Sequence, residues 1–238
     1  MPVLDGEASV YQISLQLSDA TVAALRQSDF RLYAFRGADA GGPEGQVLVW
    51  RAFAELAQEM VITWGAGLAA WTCVAGDDAP SVFYFDTAPG DTVSVTQDDG
   101  DGSVARAGAA DAISVLNYTT SSLYTGLAEP AGDGGYRRLA RFHLYGETSQ
   151  ALRPSGLVLL AFSTEAWQPG QAVPKLAGTA PAGGAPGSSA GLLVRMADGE
   201  TAHAVGFDIN QGWDWGCWAW GQGVGAGDEL APLLINNG

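Results

Sequence analysis

Apolar and polar positions alternate in short stretches along this chain. SVYQISLQL (Ser9 to Leu17) puts Ile13, Leu15 and Leu17 on one side of an extended segment, the two-residue period of a half-buried strand. Runs rich in Val, Ile, Tyr, Phe and Thr follow at FRLYAF (30–35), QVLVWRAF (46–53), EMVITW (59–64), SVFYFD (81–86), DTVSVTQ (91–97), AISVLNY (112–118), LVLLAF (157–162) and GLLVRM (191–196). Such residues fit a pleated, packed surface, and turn residues bound most of the runs. QDDGDGS (Gln97 to Ser103) has Asp-Gly steps between two runs and predicts a hairpin. Helix is confined to short pieces. The best is Ser18 to Arg26, where Ser18 can cap and Val22, Ala23 and Leu25 give part of an apolar face. Phe53 to Glu59 also contains helix formers, but a related segment, GETAHAV, argues against a helix there.

The chain also resembles itself. LRQSDFRLYAF (Leu25 to Phe35) and LRPSGLVLLAF (Leu152 to Phe162) share Leu, Arg, Ser, Leu, Ala and Phe at an offset of 127, and upstream Ile13, Leu15 and Leu17 match Ala140, Phe142 and Leu144 in alternation. Trp71-Thr-Cys73 pairs with Trp215-Gly-Cys217 at an offset of 144, and AGDDAP at Ala75 to Pro80 with AGDELAP at Ala226 to Pro232 at about 151. The 17 residues by which the first two offsets differ fit in the Pro-, Gly- and Ala-rich segment Gln168 to Gly191, which reads as a loop. These patterns predict an all-β protein, an antiparallel β-sandwich with an internal pseudo-twofold duplication. Its one domain, 1–238, comprises a half-repeat at 1–85, an inserted β-meander at 86–135, and a second half-repeat at 136–238 carrying the loop 168–191. Two side-by-side sandwiches are disfavoured, because no polar linker separates the halves.

Length and composition agree with one folded unit. The 238 residues are 47% hydrophobic and include 8 Trp, 7 Tyr and 8 Phe, which excludes wholesale disorder. Charge narrows the partners. With 26 acidic and 11 basic residues the net charge is -15, and Lys175 is the only lysine. That field repels nucleic acid at long range, and the scattered arginines form no stripe to follow a phosphate backbone. Asp5 and Glu7 stand where a secretory signal would be basic, and the longest apolar run, Gly156 to Phe162, is too short to span a bilayer. The expectation is a cytoplasmic protein without a transmembrane segment, with non-classical release open.

Candidate chemistry centres on GWDWGCWAWGQG (Gly212 to Gly223). On one continuous strand Trp213 and Trp215 would face one side, Trp218 and Trp220 the other, and an exposed pair would form a platform for a sugar face or a bilayer interface. The competing reading is that the indoles fill the core. Cys73 and Cys217, matched in the repeat, could form a disulfide if a twofold axis brought them together, whereas buried thiols suit a reducing compartment. Asp98, Asp99 and Asp101 make a weak calcium candidate, lacking the glycine and glutamate spacing of an EF-hand, and the default is a solvated turn. In YRRLARFHLY (Tyr136 to Tyr145), strand alternation would put Arg137, Arg141 and His143 on one face and Arg138 on the other, a conceivable anion site.

No GxSxG, HExxH, Walker A or Rossmann fingerprint occurs, and no cofactor is indicated. In its acidic, signal-less, Trp-rich β character the chain is similar to small sugar- or membrane-binding sandwiches such as aegerolysins and fungal-type lectins, although it matches none of their motifs and is longer. The leading expectation is a non-enzymatic recognition protein that uses the Trp tract against a glycan or a neutral lipid surface. Two alternatives stand beside it. One is a self-assembling structural protein, a homo-oligomer forming filaments or shells. The other is a hydrolase built on Cys73 with His143 or His203, or on Glu55 with Glu200.

Overall fold

The structure, a computed structural model, describes residues 10–41, 45–76, 81–177, 189–197 and 199–235. The chain is mostly strand. In order the elements are β1 (Val10–Leu17), α1 (Asp19–Gln27), β2 (Arg31–Asp39), β3 (Gly45–Val47), β4 (Arg51–Phe53), β5 (Glu59–Gly65), β6 (Leu68–Val74), β7 (Phe83–Thr87), β8 (Thr92–Val95) and β9 (Gly102–Ala105). They continue with β10 (Ile113–Asn117), β11 (Leu123–Pro130), β12 (Tyr136–Arg138), β13 (Ala140–Leu144), β14 (Ser149–Ser163), β15 (Gly191–Arg195), β16 (Ala202–Asp208), β17 (Gly212–Asp214), β18 (Gly221–Val224) and α2 (Ala231–Leu234).

The predicted helix forms where its cap is. The Ser18 side chain accepts from the Thr21 amide, Asp19 lies in the first turn and Arg26 in the last, each matching the helix dipole, and Val22 and Leu25 are buried. The Asp-Gly hairpin also forms, with β8 and β9 paired antiparallel from Thr92 opposite Ala105 to Val95 opposite Gly102. Phe53 to Glu59 is not helical: β4 ends at Phe53 and β5 begins at Glu59.

The strands make three hydrogen-bonded sheets. The first runs β17-β16-β1-β5, and the third β3-β13-β11-β6-β7 with β12 beside β11. The second and largest runs β18-β15-β14-β10-β8-β9, with β2 also on β14 and β4 on β2. Pairings are antiparallel except β1 with β16 and β8 with β10. One apolar cluster draws on all three sheets, including Ile13 and Ile62 from the first, Phe35 and Leu160 from the second, and Leu127 and Phe142 from the third. Residues 157–163 of β14 are buried on both faces, which accounts for a continuous apolar run instead of alternation. Phe162 meets Phe207 and Trp213 of the first sheet, with ring centroids 4.7 and 5.5 Å away, and α2 lies against β2, β14 and β3.

The two most similar sequence segments lie side by side. Leu32 opposes Phe162, Tyr33 opposes Ala161, Ala34 opposes Leu160 and Phe35 opposes Leu159. The second block behaves otherwise. Trp71 and Cys73 sit on strand β6, whereas Trp215 and Cys217 lie in the turn between β17 and β18. The first block's alternation is also used differently, β1 joining the first sheet and β13 the third. The segment 168–191 enters the core at Val173 and Leu176 before residues 178–188, which lie outside the described residues, as do 1–9 and 77–80 of the first half.

Candidate functional site

The Trp tract forms a corner between two sheets. β17 pairs with β16, with Trp213 opposite Phe207, and after Asp214 the chain turns into β18, which pairs with β15 in the second sheet. The turn uses left-handed backbone at Gly216 (φ 65°) and Cys217 (φ 57°), and the Asp214 carboxylate accepts from the Gly216 amide at 3.0 Å. The tract is therefore not one strand, and the expected alternation gives way to four separate environments. Trp213 is in the core, stacked on Phe162. Trp215 lies over Gly221, where an added Cβ would come within 2.4 Å of its ring. Trp220 stacks on His203 at 4.1 Å and 16°, half-buried against the core. Trp218 is 67% exposed, the most exposed large aromatic among the described residues.

Beside this corner is an open groove of about 400 Å³, lined by Gln16, Ser18, Asp208, Gln211, Trp213 and Asp214 among others. Asp208 is fixed in place. Its Oδ1 accepts from the Asn210 and Gln211 amides and its Oδ2 from Thr21 Oγ1, which ties the β16–β17 hairpin to the first turn of α1. These bonds, the Asn210 amide foremost, hold its carboxyl below the usual carboxylate range. The groove thus offers carboxylate and amide oxygens, amide and hydroxyl donors, and an indole at its base.

The two cysteines are not joined. Cys73 is buried in β6 of the third sheet and Cys217 is exposed in the corner. Asp98, Asp99 and Asp101 do lie in the β8–β9 turn, where Asp98 accepts from Ser121 Oγ and Asp99 from the Asp101 amide. Among the described residues no three His, Cys, Asp or Glu side chains converge as a metal site. Cys73, Tyr124 and His143 follow one another across β6, β11 and β13, so the tyrosine stands between thiol and imidazole. His203 lies 3.3 Å from Glu200 but without hydrogen-bond alignment, and Glu55 is exposed in the β4–β5 connection.

YRRLARFHLY differs from simple alternation because the chain slips by one residue against β11. Arg138 pairs with Ala128, yet His143 pairs with Tyr124, a bulge that puts Arg138 on the same face as Arg141 and His143. There Arg138 lies over Trp71 at 5.1 Å and Arg141 over Tyr124 at 4.6 Å, and Tyr84 stacks on Tyr136 at 4.4 Å.

A buried charge group has no signature in the sequence. Glu129, 4% exposed, accepts from Trp50 Nε1 at 2.7 Å and pairs with Arg51 at 3.2 Å. Arg36, 6% exposed, lies over Trp50 and Trp64 at 5.8 and 5.7 Å. Burial lowers its pKa to about 10, against the partial support of Glu129, so it remains cationic at neutral pH. Arg36 closes one end of the apolar run FRLYAF, and only the fold brings Glu129 to it.

No protein-family model matches the chain, and no curated protein or solved structure matches it either.

Proposed function

We propose that this is a non-enzymatic recognition protein that binds a glycan at the Trp corner. The observation that carries the reading is Trp218, 67% exposed on the turn whose sequence runs from half-buried Trp215 to half-buried Trp220. An indole held largely in water contributes little burial to the fold, while its flat face suits the C–H face of a sugar. The adjoining groove supplies what sugar hydroxyls need, acceptors on Asp208 and Asp214 and both donors and acceptors on Gln16 and Gln211. A neutral lipid surface is the competing partner for the same rings, but the acidic groove beside them favours hydroxyl groups over a bilayer interior. In the same reading the three sheets layer as a β-sandwich descended from a doubled unit, supported by the side-by-side pairing of the similar segments in β2 and β14. Divergence has then remade the second Trp-x-Cys copy into the binding corner.

A glycan array and pelleting with neutral liposomes, each with wild type and Trp218→Ala, test this. Glycan binding that the substitution weakens by about fivefold to tenfold is expected, as stacking on one aromatic contributes on the order of 1 to 1.5 kcal/mol. Wild-type protein that ignores every glycan refutes it, and Trp218-dependent binding to liposomes alone transfers the corner to lipid.

A further inference from the structure

The end of the molecule that holds Arg36 contains a cavity of about 410 Å³, of the size that takes a small ligand. Tyr11 and Trp64, stacked at 5.6 Å and 16°, form one wall, Leu68 and Met196 add apolar surface, and Ser155 brings a hydroxyl. Arg36 is among the lining residues, and its Nη1, shut off from water, has no hydrogen-bond partner among the described residues. A guanidinium taken out of water and left unpaired is costly. Its neighbour Glu129 supports it only at a distance, accepting its own hydrogen bonds from Trp50 and Arg51. Among the described residues, the two guanidiniums of Arg36 and Arg51 and the one carboxylate of Glu129 leave one positive charge here, inside a protein of net charge -15.

We propose that this cavity is a binding site for a small organic monoanion, a carboxylate that pairs with Arg36 while its apolar ring lies against Trp64 and Tyr11. The single surplus charge matches one carboxylate, and a dianionic phosphate would leave negative charge in excess. The rings of Trp50 and Trp64 hold the guanidinium in place before the ligand arrives, which favours a charge-assisted hydrogen bond to a carboxylate oxygen. The site is separate from the Trp corner and does not rest on the glycan reading.

Calorimetric titration of the full chain at pH 7 with 3-phenylpropionate, 3-phenylpropanamide and inorganic phosphate tests it. Saturable binding of the carboxylate is expected, with the amide and phosphate each at least about tenfold weaker, the size of one charge-assisted contact. Arg36→Met should reduce the carboxylate to the level of the amide. Ala66→Phe, at the exposed lip of the cavity, should weaken carboxylate and amide alike without touching the core, and it decides the matter if the arginine variant fails to fold. Trp218→Ala should leave all three titrations unchanged. The proposal is overturned if 3-phenylpropionate shows no saturation up to about 10 mM, if the amide or phosphate binds as well, or if Ala66→Phe leaves binding intact.

Discussion

Replacing Arg36 with methionine should make the protein more stable. Burial, the largest influence on this guanidinium, lowers its pKa to about 10, with Glu129 opposing and Arg51 reinforcing the shift. At about 1.4 kcal/mol per tenfold change, that fall corresponds to a charge held at a cost of about 3 kcal/mol. Methionine keeps most of the apolar stem but gives up the contacts with Trp50 and Trp64, each on the order of 0.5 to 1 kcal/mol. The net expectation is a gain of about 1 to 2 kcal/mol, read as a urea midpoint raised by roughly 0.5 M at an unchanged slope. The pH dependence has a definite sign. The unfolded chain holds this proton to higher pH than the native protein, so the penalty is complete below pH 10 and relieved above it. The gap between variant and wild type should be flat from about pH 6 to 9 and narrow above about 10. A midpoint that falls instead would show Arg36 to be a structural counter-ion for Glu129, and the account of a charge kept for a ligand would be lost.

Glu129→Gln should behave in the opposite way, costing about 3 to 5 kcal/mol in urea denaturation, because it leaves buried Arg36 and half-buried Arg51 without their counter-charge. Gly126→Ala should cost about 1 to 3 kcal/mol, since a Cβ there would stand 2.1 Å from the Ala140 carbonyl oxygen and 2.8 Å from Trp71 Nε1. Trp213→Ala should lose about 3 to 5 kcal/mol and Trp218→Ala less than about 0.5, a contrast in thermal melts that separates the core indole from the exposed one. Asp208, whose carboxyl is held low, contributes stability that is present at neutral pH and lost as pH falls below about 4. Asp208→Asn should therefore melt below wild type at pH 7 and approach it in acid.

What could be read in advance was what depends on neighbours in sequence. β1, β5 and the β8–β9 hairpin show as alternation or as an Asp-Gly turn, and α1 shows through Ser18. β6 and β11 escaped because their surroundings are tertiary. LAAWTCV is buried on both faces and so does not alternate, and LYTGLAEP contains Gly126, where the Trp71 ring and the β13 backbone come close, and ends at Pro130. QVLVWRAF reads as one strand but serves two sheets, β3 pairing with β13 and β4 with β2. The bulge before β13 turned Arg138 to an unexpected face, since one extra residue reverses a two-residue period. In the Trp tract the residues were evident and their arrangement was not. Left-handed backbone at a cysteine, with the change of sheet it allows, leaves no mark in a pattern of apolar positions.

The claim that the corner recognises sugar is met most directly by recording the indole N–H signals of the eight tryptophans by NMR, with and without the best-bound glycan from the array. The account predicts that Trp218 shifts most, Trp215 and Trp220 with it, and that the buried Trp50 and Trp71 stay where they are. Shifts confined to Trp50 and Trp64, or no shift at any corner indole under saturating glycan, would contradict it.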